Sequence, residues 1–172
     1  AEKQAAAAIG QSRLMHIYDG AFEQHKKVTA QILLTRDDLR SRHRFLNARN
    51  TFYSLLNNNV MPIVNENDTV VVQELEFGEN DFLASLILNL VQADLFINLT
   101  SAEGVFAENP EENPAAQKID CIPCIKDWDI ESFCKGKSSA GSGGMYTKML
   151  AGRRAAQLGV PTLIVSGKGS FV

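Results

Sequence analysis

The residue types best suited to chemistry fall in three places. The tripeptide Glu-Asn-Asp occurs twice, at 66–68 and at 79–81. Carboxylates and amides at such spots can hold an ammonium group or orient a carboxylate, which makes Asp68, Asn80 and Asp81 candidates for a polar pocket. Residues 139–148, SAGSGGMYTK, form the second place. Small residues and glycines running into a helix permit close backbone approach and cluster N–H donors, a combination that suits phosphate. Lys148, one turn into that helix, can bring a point charge to the same anion. Thr100 and Ser101, which close an apolar run, offer hydroxyls and backbone for a nucleotide. Each place also has a plain structural role. Asp or Asn before a helix is commonly a cap, Asp68 suits a turn, and a glycine-rich stretch can be a linker. The pattern is no Walker A loop, because Thr147 stands where Gly should precede Lys, and Tyr146 breaks GxGxxG.

Positioning these residues requires strands that alternate with helices. Residues 2–24 read as a helix and 28–34 as a strand. The basic segment 36–49, with five arginines and His43, leads into a helix through Leu56, and 57–59 is a turn. Residues 60–64 read as a buried strand of a parallel sheet. A hairpin-like passage follows the first acidic tripeptide. After the second, apolar residues at 82, 83, 86, 87, 90 and 91 take helical spacing, which puts Asn80 and Asp81 at a cap. Residues 94–99 read as another buried strand, 100–114 as loop, and 129–134 as a short helix within 118–136. The flexible 137–144 precedes a helix over 145–158. Gly159 caps it, Pro161 stops it, and 162–165 is a strand. The alternation predicts an α/β fold with a mostly parallel sheet, whose carboxyl edge is where such sheets bind ligands. No internal repeat or domain boundary is visible.

The chain has 172 residues, 45% hydrophobic and 22% charged, enough for one domain with a sizeable core. A net charge of −3 gives no broad pull toward nucleic acid or anionic membrane. There is no apolar run of about 18 residues to cross a membrane. No basic-then-apolar leader opens the sequence, and three cysteines suit a reducing compartment, so the expected location is cytoplasmic. Cys121 and Cys124 with Cys134 resemble half a zinc site. A second ligand pair is missing and His16, His25 and His43 are distant in sequence, so no metal site is expected. The arginine-rich 36–49 segment reads as a solvated or subunit-facing surface.

Taken together, KQAAAAIGQSRLM, QILLTRDDLRSRHRFLNARNT, PIVNENDTV, FGENDFLAS and SGGMYTK, in this order and spacing, resemble the glutamate 5-kinases of the amino-acid kinase family. The resemblance implies a three-layer αβα sandwich, with 1–172 forming part of one catalytic domain. It implies transfer of the γ-phosphoryl group of ATP, with Mg²⁺, to the side-chain carboxylate of L-glutamate, the first step of proline synthesis. Asp68 and Asn80 match the family's glutamate-binding residues, and Asp81 the aspartate that orients active-site lysines. Thr100 and Ser101 match the nucleotide-contacting pair. Ser142, Gly143, Gly144, Met145, Tyr146, Thr147 and Lys148 match the ATP-binding loop, Lys148 being the lysine that stabilises the transferring group. Proline as feedback inhibitor and a homo-oligomer are further implications. Ser101 departs from the family's usual aspartate. Residue 1 aligns inside the domain, so a strand with a lysine and glycine-containing loop, and a glycine-serine loop, are expected upstream. Closing strands are expected downstream, and this stretch by itself is not expected to catalyse. Two alternatives stay open: an amino-acid kinase with another acceptor, such as carbamate, a nucleoside monophosphate or aspartate, and a non-catalytic protein that binds glutamate or proline.

Overall fold

β-Branched and apolar runs become strands, and runs rich in alanine and leucine become helices, in the computed structural model, which describes residues 2–70, 80–110, 112–134 and 144–168. The chain folds as two compact units, 1–86 and 87–172.

In the first unit, helix α1 (Glu2–Glu23) packs along strand β1 (Val28–Leu34). Its alanine block gives strong helix propensity, yet none of its residues is buried, and Ile9 and Ile17 stay exposed. Strand β2 (Val60–Glu66) pairs with β1 in parallel, in register from Val28 opposite Val60 to Leu34 opposite Glu66. The basic segment between them is helical in two pieces, α2 (Arg36–Arg40) and α3 (Arg42–Asn57). Ser41, extended at φ −74° and ψ 117°, breaks them apart. Asn59, at φ +56°, turns the chain from α3 into β2, a left-handed conformation that asparagine tolerates. Residues 60–64, read as buried, are half-buried except Met61, which is exposed, because β2 pairs on one side only among the described residues. Most of the hairpin-like passage falls on 71–79, outside the described residues, as do 137–143 of the flexible stretch. Helix α4 (Asn80–Val91) begins inside the second acidic tripeptide.

In the second unit, β3 (Phe96–Thr100) pairs in parallel with β6 (Thr162–Ser166), Phe96 opposite Thr162 and Thr100 opposite Ser166. Helix α6 (Met145–Gln157) precedes β6 and packs on both strands. Gly159 ends the turn at φ +79°, as its reading as a C-terminal cap requires. The reading of 94–99 as a strand buried on both faces needs correction. Phe96 and Asn98 are buried, but Ile97 and Leu99 are 52% and 59% exposed, because α6 covers one face of the pair. Residues 100–114 are not all loop. Strand β4 (Val105–Phe106) forms an antiparallel ribbon with β5 (Lys118–Ile119). A 3-10 turn over Ile125–Asp127 and helix α5 (Ile130–Cys134) follow. Val105, Ile130 and Met149 form a buried cluster in this unit, ringed by Trp128, Phe133, Met145 and Ile164. Trp128 and Phe133 meet edge to face at 5.0 Å. The chain is mixed α/β with parallel strand pairs, as the alternation foretold.

Candidate active site

Parallel pairing brings the carboxyl ends of β1 and β2 to one edge, and there the first polar constellation stands. Leu34, the last residue of β1, is buried, and its carbonyl accepts the N–H of Asn67 at 2.9 Å. That bond anchors the turn that carries Asp68. The turn closes through Val70 N–H to Asn67 O at 3.2 Å and Thr69 Oγ1 to Asn67 Oδ1 at 2.5 Å, leaving Asp68 exposed. Glu66 is buried at the end of β2. Asn65 donates from Nδ2 to Gln11 Oε1 of α1 at 3.0 Å.

Helix α3 reaches the start of β2 through a short turn and packs on it, so its N-terminal end and α2 return to the same edge. The arginine segment, read as a solvated or subunit-facing surface, thus stands in part at the same edge as the turn of Asp68. Thr35 caps α2 reciprocally with Asp38: its N–H and Oγ1 donate to Asp38 Oδ2 at 2.8 and 2.6 Å, and its Oγ1 accepts from Asp38 N–H at 3.3 Å. Arg44 Nη1 donates to Asp38 Oδ1 at 3.2 Å. Partial burial pushes the Asp38 carboxyl up, but the Thr35 bonds and the Arg44 charge outweigh it and hold the group below the usual carboxylate range. Arg36 places its guanidinium 5.7 Å from the centre of the Phe82 ring, which ties α2 to the first turn of α4. In that turn Asn80 is the first helical residue, exposed, and Asp81 the second, half-buried. A carboxylate there complements the positive end of the helix.

The second constellation is built in the other unit by the same geometry. Because α6 runs back along β6 to feed its start, the N-terminal end of α6 lies at the carboxyl end of β3 and β6. A 13-residue helix spans about 20 Å and a five-residue strand about 17 Å, so the start of α6 reaches the level of the strand ends. Thr100 ends β3 there, its carbonyl taking the N–H of Gly167 at 2.8 Å and its hydroxyl that of Ala102 at 3.4 Å. Ser101 beside it is exposed. Gly144 precedes the first turn of α6, whose leading N–H groups, those of Met145 and Tyr146, have no place in the helical ladder and point outward along the axis. Thr147 donates its hydroxyl to Gly144 O at 2.9 Å, so that proton is turned to the backbone. Met145 packs against the core, and a ligand would meet its backbone rather than its side chain. Tyr146 is exposed, and Lys148 is half-buried one turn into the helix. Ser142 and Gly143 lie outside the described residues.

The structure thus groups Asp68, Asn80 and Asp81 in one unit, and Thr100, Ser101 and 144–148 in the other. Sequence reasoning missed Arg36 and the cap formed by Thr35, Asp38 and Arg44. The spacing Thr35-x-x-Asp38 was the available signal for the cap. Among the described residues no three His, Cys, Asp or Glu side chains gather as a metal site. Cys121 and Cys124 are exposed free thiols, and Cys124 Sγ lies 2.8 Å from Asp127 Oδ2. They line a groove of about 750 Å³, together with Gly152, Thr162 and Ile164, that none of the expected site residues enters. No helix among the described residues is long and apolar enough to cross a membrane.

The model of the amino acid kinase family matches residues 1–166. Over 166 residues the chain is 66% identical to a glutamate 5-kinase of Oleidesulfovibrio alaskensis, covering 96% of this chain and 44% of that protein. It is 63% identical, with the same coverage, to a glutamate 5-kinase of Nitratidesulfovibrio vulgaris. It is 64% identical over 170 residues to one of Maridesulfovibrio salexigens, covering 99% of this chain and 45% of that protein. The chain therefore spans less than half the length of the curated relatives it matches. With parallel strand pairs that suit an αβα sandwich and a family match over nearly its whole length, this chain belongs to the amino acid kinase family.

Proposed function

We propose that the chain is part of a kinase that moves the γ-phosphoryl group of ATP to the side-chain carboxylate of L-glutamate, giving γ-glutamyl phosphate for proline synthesis. The observation that carries this reading is the 63–66% identity, over nearly the whole chain, to proteins named glutamate 5-kinase. The two units are read as parts of one catalytic domain. Asp68 and Asn80 hold glutamate, the carboxylate gripping the α-ammonium group and the amide a carboxylate oxygen. Asp81 orients the active-site lysine. Thr100 and Ser101 contact the nucleotide, and the loop from Ser142 and Gly143 through Gly144, Met145, Tyr146 and Thr147 presents backbone N–H groups to its phosphates. Lys148 neutralises charge on the oxygens of the transferring group. Such chemistry asks the protein to align donor and acceptor and to balance charge that develops between them. Mg²⁺ would enter on the nucleotide phosphates, which ask for only one or two protein carboxylates, and would screen their charge. A cytoplasmic location, proline as feedback inhibitor and assembly into a homo-oligomer belong to the same proposal.

The test is an acceptor panel with the full-length protein and MgATP, using hydroxylamine to trap an acyl phosphate as its hydroxamate. Glutamate-dependent hydroxamate and ADP in equal amounts are expected. ADP formed only with carbamate, aspartate or a nucleoside monophosphate would replace the acceptor. Calorimetric binding of glutamate or proline with no turnover would leave a binding protein.

A further inference from the structure

We propose that Arg36 is a positioning residue, a bracket that fixes the first turn of α4, with Asn80 and Asp81, against the carboxyl edge of β1 and β2. The inference rests on the glutamate-binding role assigned above to Asp68 and Asn80. Its first support is the rigidity of the site from which Arg36 springs. Thr35, immediately before it, is held by the reciprocal cap with Asp38, and Asp38 is held in turn by Arg44. Leu34, one residue earlier, is buried and receives the backbone of Asn67, the neighbour of Asp68. The backbone at Arg36 is thus tied to the turn that carries Asp68. Its second support is what the side chain reaches. The guanidinium lies 5.7 Å from the centroid of Phe82, inside the range of a cation–π contact, and Phe82 adjoins Asp81. Both side chains are half-buried, so water weakens the contact less than at an open surface. Arg36 therefore joins two acidic turns, at Asp68 and at Asn80, from a segment of chain that contains neither.

The test uses Arg36→Met, Arg36→Lys, Phe82→Leu and the double variant Arg36→Met/Phe82→Leu in the full-length enzyme. Arg36→Met and Phe82→Leu are each expected to raise glutamate KM about 2- to 30-fold, the range a cation–π contact spans, with ATP KM unchanged and kcat little altered. Arg36→Lys restores part of the loss, and the double variant costs no more than the worse single one. Unchanged glutamate KM in Arg36→Met, equal increases in both KM values, or multiplying effects in the double variant each overturn the bracket. Should the wild-type enzyme phosphorylate no glutamate, the functional reading fails and amide hydrogen exchange over 82–85 decides instead. Faster exchange in Arg36→Met than in wild type upholds the bracket, and equal exchange overturns it.

Discussion

A lysine ammonium meets a phosphate as a point charge, and its value depends on where charge develops during transfer. Lys148 stands one turn into α6, beside N–H groups that the helix leaves without internal partners. In the proposed reaction, that charge matters more in the transition state than in the bound ground state. Lys148→Ala should therefore lower kcat about 10²- to 10³-fold while glutamate KM moves little, as for other lost donors aimed at developing charge. A full kinetic profile of the full-length variant checks this, and an unchanged kcat removes Lys148 from its role. Asp68 is expected to behave oppositely. It is exposed in a turn anchored to Leu34, and in its proposed role it would bind the substrate alike in ground and transition states. Asp68→Ala should raise glutamate KM with a much smaller change in kcat, and a normal KM would sink that assignment. The sequence marked both residues by type and spacing. It could not show that the Thr147 hydroxyl folds back on Gly144 or that Met145 turns into the core, since those choices are made by local geometry and by Val105 and Ile130.

At the scale of elements, the cap of α2 is the feature with a measurable cost. Asp38 satisfies the N–H and hydroxyl of Thr35 and pairs with Arg44, and its carboxyl is more acidic in the folded chain than in the unfolded one. A depressed carboxyl contributes stability above its unfolded value, near pH 3.9, and loses it as pH falls through the folded value. Asp38→Asn should therefore destabilise the protein by about 0.3–1 kcal/mol at pH 7, the usual worth of a carboxylate in the first turn of a helix, and by less below pH 3. Urea unfolding at the two pH values checks this, and a constant difference would argue against the carboxylate as the cause. Elements with long periodic signals were legible. The spans of α1, β1 and α6 lie within a residue or so of their sequence readings, and the turn at Gly159 follows from its left-handed backbone. The ribbon of β4 and β5 was hidden, because two-residue strands have no period to detect. The break at Ser41 was hidden as well, since nothing in the hydrophobic pattern separates α2 from α3. β3 misled for a different reason. An apolar run reads as buried on both sides, whereas which side is covered depends on where α6 packs.

At the scale of the whole molecule, binding and stability are two readings of one free energy. A ligand at 100 times its Kd that binds only the folded state stabilises it by about 2.7 kcal/mol, whatever the chemistry that follows. The sites proposed for the two substrates draw on different parts of the chain: Asp68 and Asn80 for glutamate, and Thr100 with 144–148 for the nucleotide. Their losses should therefore separate in thermal unfolding of the full-length enzyme. Asp68→Ala should abolish most of the rise in Tm given by glutamate and keep the rise given by MgATP. Lys148→Ala should keep most of both, because its charge is felt chiefly in the transition state that a resting complex never visits. If Asp68→Ala erased both shifts together, the residue would be a support of the whole fold rather than a contact to one substrate. If Lys148→Ala erased the nucleotide shift alone, its charge would already be spent in the ground state, and the large loss in kcat expected above should shrink in proportion.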